Sequence, residues 1–242
     1  MNDLSGKGES LSAACSAFST SVLPIQAVIF DVDGLMVDSE PLQTLAWNIY
    51  LEPFGYHIGP EEKALLLGRR VIESATLMKS RLGLPGEPEL IVAGRKPILF
   101  SLIRENLRPM PGLHEVVAAC ERRRLKTAIA SSSYTDYVAL VLQMIDLESR
   151  LAAVVTGDQI SSGKPDPEVF LKAAESLAVH PSRCLVLEDS PNGVIAAKRA
   201  GMRCAAINSS PSAVAELSAA DVIHPHLSAV IPDIVRWTDG AE

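Results

Sequence analysis

The chain has 242 residues, of which 48% are hydrophobic and 21% are charged, and its formal net charge is -7. This composition is typical of a globular protein with one large domain or two small ones. The acidic balance and a sequence pI near 5.3 argue against a surface that binds nucleic acid or an anionic membrane. No run reaches the roughly 18 apolar residues of a membrane-spanning helix, so we expect a soluble, cytoplasmic protein without a membrane partner.

Two features of the sequence argue against export and against a cysteine-based site. Residues 1–23 are predicted to be a flexible tail, because they are rich in serine and lack the basic start and compact apolar stretch of a secretory signal. The four cysteines are Cys15, Cys120, Cys184 and Cys204. They show no CxxC spacing, so the sequence predicts neither a zinc site nor a disulfide framework.

Short apolar runs with β-branched residues recur along the chain, and each is typical of a buried strand. They are residues 26–30, 126–130, 151–155, 184–187 and 204–207. Segments with a helical spacing of apolar residues or with helix-capping residues separate these runs. Buried strands that alternate with helices indicate a parallel sheet. We therefore predict an α/β fold, with a Rossmann-like parallel sheet as its core and helices on both faces.

Residues 42–108 interrupt this alternation, because they contain helix-type patterns without a clean β-branched strand. We predict that they form a helical cap, inserted after the first strand and placed over the carboxyl ends of the strands, where open α/β folds bind ligands. The catalytic core is then expected at residues 24–41 and 109–230. Residues 231–242 are predicted to be a C-terminal tail.

Four polar clusters each follow a predicted strand. They are Asp31-Val32-Asp33-Gly34, Ser131-Ser132-Ser133, Gly163-Lys164-Pro165-Asp166 and Glu188-Asp189-Ser190. Because the carboxyl ends of parallel strands meet at one edge of a sheet, we expect these side chains to converge. Carboxylates gathered in a partly dry cleft repel one another unless a cation balances them, and Lys164 alone is not enough. A ligand set made only of oxygen atoms favours Mg²⁺.

With these motifs in this order, the chain resembles the haloacid dehalogenase superfamily, in its branch of phosphatases and β-phosphoglucomutase-like enzymes with a helical cap. The matching motifs are Asp31 to Glu40, then Ser131, then Lys164, then Glu188-Asp189. The resemblance spans about residues 24–210. It implies a phosphoric monoester hydrolase that acts on a small phosphorylated metabolite and works as a monomer.

The resemblance also implies a role for each matched residue. Asp31 is expected to attack phosphorus and form an aspartyl-phosphate. Asp33 is expected to protonate the leaving oxygen and later to activate the attacking water. The groups expected to bind the phosphoryl oxygens are Ser131, Ser132, Gly34 and Lys164.

The Mg²⁺ ligands implied by the resemblance are Asp31, the backbone carbonyl of Asp33, Asp189 and Glu188. Whether Glu188 binds directly or through a water molecule stays open. Two further residues are candidates for reading the leaving group. Arg69 is one, because a guanidinium group on the cap can meet a phosphate or a sugar hydroxyl, and Gln43 is the other.

Phosphomonoester hydrolysis is the favoured function, and alternatives stay open beside it. A sugar-phosphate mutase like β-phosphoglucomutase would use the same aspartates but has to exclude water. Those mutases carry a histidine twelve positions after the nucleophile, where this chain has Gln43. A non-catalytic binding module is disfavoured because the entire polar set is retained. Dehalogenation is disfavoured by Asp33, since a halide leaves without a proton.

Overall fold

A computed structural model describes residues 23–66, 68–210 and 213–240. Within these residues one six-stranded sheet is present: β1 Ala27–Phe30, β2 Lys126–Ala130, β3 Ala153–Val155, β4 Cys184–Glu188, β5 Arg203–Ile207 and β6 Val222–His224. The strands lie in the order β3-β2-β1-β4-β5-β6, and every pairing is parallel. The predicted N-terminal tail, apart from its last residue, lies outside the described residues.

The described residues also contain ten α-helices. They are α1 Glu40–Leu51, α2 Pro60–Leu66, α3 Val71–Leu82, α4 Pro88–Asn106, α5 Leu113–Arg122, α6 Thr135–Met144, α7 Glu168–Ser176, α8 Pro191–Arg199, α9 Ala213–Glu216 and α10 Ile231–Thr238. The predicted α/β fold with a parallel sheet is thus confirmed. In the described part of the chain, none of the helices has both the length and the apolar character that a bilayer crossing requires.

The central strand β1 shows why helices cover both faces of the sheet. Successive residues of a strand point to opposite faces, and all four residues of β1 are buried. Val28 and Phe30 pack into one apolar cluster together with residues of α5, α6 and α10. Ala27 and Ile29 pack into a second cluster together with residues of α7 and α8. A strand buried on both faces has no polar position, which explains its uninterrupted apolar sequence.

Helices α1 to α4 lie between β1 and β2 in the chain, and we call residues 40–106 the helical insert. The insert has an apolar cluster of its own, which includes Trp47, Leu51, Met78 and Ile91. Its two connections to the core run side by side: Val37 forms isolated bridges with Asp33 and with Pro109. This pairing holds the insert next to the carboxyl end of β1.

The C-terminal end of the chain differs from the prediction. Residues 231–242 are predicted to be a tail, but residues 231–238 form α10, whose Ile234 and Trp237 are buried against the core. The helix is only eight residues long, so the sequence offers few turns over which its apolar spacing can be recognised. Strand β6 was also missed, because it is a three-residue edge strand with half-buried side chains and has no continuous apolar run. The strand predicted at residues 151–155 is shorter, since β3 begins only at Ala153.

Candidate active site

Polar side chains from three neighbouring strands meet at one edge of the sheet. Asp31 directly follows β1, Ser131 directly follows β2, and Glu188 is the last residue of β4. Strand β1 pairs with β2 on one side and with β4 on the other, so their carboxyl ends are adjacent. Lys164 enters from the segment that follows β3. The sheet topology therefore brings residues from distant parts of the sequence into one cluster.

The Lys164 ammonium group connects these strand ends. Its Nζ donates hydrogen bonds to Asp31 Oδ1, to Glu188 Oε1 at 2.6 Å and to the backbone carbonyl of Ala130 at 3.2 Å. The side chain is only 1% exposed, so its charge depends on these partners. Burial alone would lower the pKa of Lys164, but the two carboxylates outweigh burial and raise the pKa above its ordinary value. Lys164 therefore stays charged at neutral pH.

Glu188 is held on both of its carboxylate oxygens. Its Oε2 accepts hydrogen bonds from the backbone N–H groups of Asp189 and Ser190, each at 2.9 Å, and from the Ser190 hydroxyl at 3.0 Å. Its Oε1 accepts the bond from Lys164. A Cβ at Gly193 would lie 1.7 Å from Glu188 Oε1, so only glycine fits at that position. The carboxylate is thus fixed by backbone and lysine donors.

The carboxylates at this edge carry a surplus of negative charge. Asp31, Glu188 and Asp189 each place one oxygen within 4.8 Å of the others, and Lys164 supplies one positive charge against their three negative charges. Burial, with the help of Glu188 and against the effect of Lys164, raises the pKa of Asp31 to about 7. Burial and the nearby Glu188 also raise the pKa of Asp189 well above its ordinary value. Burial is the largest cause of both pKa shifts, and repulsion by the Glu188 carboxylate adds to it.

The residues present fit a hard divalent cation. No hydrogen bond from the described residues reaches the Asp189 carboxylate, so both of its oxygens retain free lone pairs. The available donors are all oxygen atoms, and two uncompensated negative charges match the charge of Mg²⁺. A Cβ at Gly34 would lie 2.1 Å from Asp189 Oδ2. The glycine therefore gives Asp189 the room to stand beside Asp31.

The Asp33 carboxylate is held mainly by hydroxyl groups. Its Oδ1 accepts hydrogen bonds from Ser39 Oγ and from the Tyr137 hydroxyl, both at 2.5 Å. Its Oδ2 accepts a bond from Ser133 Oγ at 2.8 Å, and Gln43 Nε2 lies 3.5 Å from Oδ1. Burial and the adjacent Asp33 raise the pKa of Tyr137 well above its ordinary value. The phenol therefore remains protonated and acts as a donor.

A cavity separates this edge of the sheet from the helical insert. Its core wall includes Asp31, Asp33 and Asp189, and its insert wall includes Gln43, Trp47, Lys63, Arg69 and Arg95. The insert thus lies over the acidic cluster, and the cavity is the space between the two walls. A ligand in this space would touch residues of both walls at once.

Arg95 of α4 is a buried cation in the insert wall. It is 6% exposed, and it donates hydrogen bonds to the backbone carbonyl of Gln43 at 3.1 Å and to the side-chain oxygen of the same residue. Its guanidinium carbon lies 4.7 Å from the centre of the Trp47 ring. Burial lowers the pKa of Arg95 to about 10, which leaves it charged at neutral pH. Its Nε is buried without a hydrogen-bond partner among the described residues.

Comparison with known protein families agrees with this geometry. The family described as haloacid dehalogenase-like hydrolase matches residues 28–207 of the chain. The chain belongs to this family. The matched range contains the acidic cluster, Lys164 and the whole of the helical insert. Residues of both cavity walls therefore lie within the part of the chain that matches the family.

Two curated relatives of this hydrolase are phosphatases. The phosphorylated carbohydrates phosphatase of Thermotoga maritima is 33% identical over 182 residues, which cover 74% of this chain and 82% of the relative. Hexitol phosphatase B of Escherichia coli is 36% identical over 181 residues, with the same two coverages. These matches confirm the predicted class of phosphoric monoester hydrolase.

The fold is shared with a solved structure. A crystal structure of β-phosphoglucomutase from Clostridium difficile has a TM-score of 0.80 at 21% identity, and the match covers 89% of this chain and 97% of that chain.

Several predicted site residues of the hydrolase use their side chains in other contacts. Ser131 is buried, and its Oγ accepts a hydrogen bond from the backbone N–H of Ser133 at 3.0 Å. Ser132 lines the cavity but donates its hydroxyl to the carbonyl of Gly68, in the insert, at 2.9 Å. Arg69 also lines the cavity, and its Nε is bonded within the insert. Phosphate binding by the two serines and substrate recognition by Arg69 stay predictions.

Sequence reasoning missed four residues of the site: Ser39, Ser133, Tyr137 and Arg95. The two serines lie inside or beside motifs that the sequence analysis had singled out, so proximity to a motif was the signal available for them. Tyr137 occupies an apolar helical stripe, where an aromatic residue indicates core packing. Arg95 has no motif around it, and only the folded structure shows that it is buried beside the cavity.

Proposed function

We propose that this hydrolase is a Mg²⁺-dependent phosphatase that releases phosphate from a small phosphorylated carbohydrate or polyol, through an aspartyl-phosphate on Asp31. One observation carries the proposal: Asp31, Asp33 and Asp189 line the same covered cavity. The names of the two curated relatives, which refer to phosphorylated carbohydrates and hexitols, support the substrate class. Both walls of the cavity belong to one chain, which supports action as a monomer.

The first half-reaction uses the two oxygens of Asp31 differently. Lys164 holds Oδ1, so Oδ2 is the oxygen available to attack phosphorus. The attack forms a bond between Asp31 and phosphorus and breaks the bond between phosphorus and the ester oxygen. An alkoxide is a poor leaving group, and Asp33 supplies the proton that the departing oxygen needs.

In the second half-reaction, a water molecule hydrolyses the aspartyl-phosphate and inorganic phosphate is released. Asp33, deprotonated by the first step, takes a proton from the water molecule whose oxygen attacks phosphorus. Asp31 then leaves as a carboxylate, which restores the starting protonation of both residues. One acid/base group can serve both steps because each step ends in the protonation state that the next one requires.

The charge of the site is balanced by lysine and metal together. Bound by Asp31, Asp189 and the backbone carbonyl of Asp33, Mg²⁺ would neutralise the surplus negative charge and polarise the phosphoryl oxygens. Glu188 contributes by fixing Lys164 with a 2.6 Å hydrogen bond. We infer that Glu188 does not need to bind the metal directly, since each of its oxygens already accepts bonds from protein donors.

The insert wall supplies the groups that would recognise the leaving alcohol. Arg95 lines this wall, and hydroxyl groups of a carbohydrate are suitable acceptors for a guanidinium group. Gln43 and Arg69 line the same wall and add further polar contacts. Trp47 contributes the apolar surface that a sugar carbon skeleton can pack against.

A substrate panel tests the proposed function. The purified protein is incubated with Mg²⁺ and separately with a hexitol phosphate, glycerol 3-phosphate, a nucleoside monophosphate, phosphoglycolate and para-nitrophenyl phosphate, and the released phosphate is measured. The Asp31→Asn variant, purified in parallel, controls for contaminating phosphatases. We expect release by the parent protein alone, with the fastest turnover on the polyol or sugar phosphates. A parent protein that releases phosphate from none of these esters contradicts the proposal.

Glucose 1-phosphate belongs in the same panel because it separates hydrolysis from phosphate transfer. Gln43 cannot titrate, and it stands where the mutases carry a histidine. We therefore expect free phosphate and glucose as the products. Formation of glucose 6-phosphate without free phosphate would favour the mutase instead.

A further inference from the structure

The acid/base residue Asp33 is anchored from three separate parts of the chain. Ser39 lies in the connection to the insert, Ser133 follows β2, and Tyr137 lies on α6 in the core. The Tyr137 hydroxyl is 2.5 Å from Asp33 Oδ1, although 104 residues separate the two in sequence. Gln43, which belongs to the insert, is farther from the same oxygen at 3.5 Å.

The ring and the hydroxyl of Tyr137 have separable roles. The ring belongs to the apolar cluster of the core and lies 6.4 Å from the ring of Phe100, and a phenylalanine could fill that space equally well. The hydroxyl, in contrast, is a buried donor that requires an acceptor. Its acceptor is the Asp33 carboxylate, and the side chains of Ser39 and Gln43 lie beside the same hydroxyl. Packing therefore explains the ring but does not explain the hydroxyl.

We propose that Tyr137 is a positioning residue for proton transfer, whose hydroxyl fixes the Asp33 carboxylate in the wall of the cavity. This inference rests on the proposed phosphatase function. Ser39 and Tyr137 together hold Oδ1, whereas Oδ2 accepts a single hydrogen bond, from Ser133. Oδ2 is therefore the less occupied oxygen, and we assign to it the exchange of a proton with the substrate. This support reaches Asp33 from α6 of the core, whose Tyr137 ring also lies beside Phe100 of the insert.

The leaving group decides how much the reaction depends on this support. When an alkyl phosphate reacts, Asp31 bonds to phosphorus, the ester bond breaks, and the alkoxide oxygen takes the proton from Asp33. Para-nitrophenolate leaves as a stable anion and needs no proton. The ratio kcat/KM reports the steps up to the first irreversible one, which here is departure of the leaving group, and is independent of the later hydrolysis.

The test compares the two kinds of substrate in the Tyr137→Phe variant. We expect kcat/KM for glycerol 3-phosphate to fall about tenfold or more, because general acid catalysis contributes at least that much. For para-nitrophenyl phosphate we expect a fall of less than about threefold, since its cleavage needs no acid. The Tyr50→Phe variant is the matched control, because it also removes a phenol hydroxyl, from a tyrosine of the insert that does not line the described cavity. In this variant kcat/KM should stay at the parent value for both substrates.

Each outcome bears on the proposal. An equal loss for both substrates, or no loss for either, overturns the positioning role while leaving the phosphatase function in place. A parent protein that hydrolyses neither substrate overturns the phosphatase function, and the role of Tyr137 with it. If Tyr137→Phe lacks a cooperative thermal transition, Tyr137→Met, which also lacks the hydroxyl and keeps an apolar side chain, is measured in the same way and has to show the same selectivity for the leaving group.

Discussion

The two walls of the cavity are built on different principles. In the core wall, Lys164 and Glu188 bond to each other and to the backbone at the strand ends, so their positions follow from the sheet. In the insert wall, Arg95 and Arg69 are held by contacts within the insert. The core wall thus fixes the reacting groups, and the insert wall can differ in sequence without disturbing them.

The two walls also differ in charge. The core wall presents the carboxylates of Asp31, Asp33 and Asp189, while the insert wall presents three cations, Lys63, Arg69 and Arg95, and one carboxylate, Glu40. A phosphate ester is attracted by the insert wall and repelled by the core wall unless a cation is bound there. This difference supports the proposals that a metal binds on the core side and that the other side recognises the leaving group.

The largest effect is expected from Asp31→Asn, which removes the proposed nucleophile of the core wall. We expect kcat to fall at least about 1,000-fold, because the amide cannot attack phosphorus. Stability should not fall. A buried carboxyl whose pKa is raised to about 7 destabilises the fold increasingly as the pH rises through that value, and asparagine carries no such charge. The thermal midpoint at about pH 8 should therefore equal or exceed that of the parent.

Asp38→Asn is the matched control for this change. Asp38 is exposed in the connection to the insert, so its amide variant should keep the parent turnover and the parent thermal midpoint. An Asp31→Asn protein that retains more than about a tenth of the parent kcat would show that the core wall does not supply the nucleophile.

The next effect concerns the metal expected at the core wall. We expect a chelator to stop turnover and added Mg²⁺ to restore it. Mg²⁺ should also raise the thermal midpoint, since a ligand at a concentration of 100 times its Kd stabilises a fold by about 2.7 kcal/mol. The affinity should weaken as the pH falls below about 7, because protons on Asp31 and Asp189 compete with the ion.

Calorimetric titration in buffers of different ionisation enthalpy measures this competition. Binding should release protons at about pH 6 and fewer protons at about pH 8. Asp189→Asn should weaken the affinity, whereas Asp166→Asn, in the loop beside Lys164, should not. An affinity that is equal at both pH values, with no proton release, would show that the buried acidic cluster is not the metal site.

The smallest effect is expected from the insert wall. Arg95→Met should raise KM about 10- to 100-fold, because loss of one hydrogen bond from a charged donor weakens binding by about that factor. The same change should alter kcat by less than about threefold. The reason is that Arg95 is proposed to contact the leaving group and not the reacting atoms. Arg104→Met changes an exposed arginine of the same helix and should leave both constants unchanged. A fall in kcat at constant KM would contradict the division of roles between the walls.

The core wall could be predicted from the sequence because its signals are local. Each of Asp31, Ser131 and Glu188 stands at the end of an apolar run, and a buried parallel strand requires such a run. The convergence of the strand ends then follows from the sheet itself. The same logic explains why β6 and α10 escaped prediction, since neither has a long apolar pattern.

The insert wall and the supports of Asp33 could not be predicted in this way. The bond from Tyr137 to Asp33 and the bonds from Arg95 to Gln43 join residues that are 104 and 52 positions apart. Nothing near either residue in the sequence distinguishes a phenol or a guanidinium at the cavity from one in the core or on the surface. Such contacts follow from how the insert and α6 pack, which is a tertiary property.

Chemical trapping of the phosphorylated enzyme tests the central claim most directly. The protein is mixed with Mg²⁺ and its best substrate, quenched in acid within a single turnover, reduced with borohydride and digested, and the peptides are sequenced by mass spectrometry. An aspartyl-phosphate is reduced to homoserine, so we expect homoserine at position 31 in the parent and none in Asp31→Asn. Homoserine at another position, or phosphate release by Asp31→Asn at the parent rate, would contradict the account.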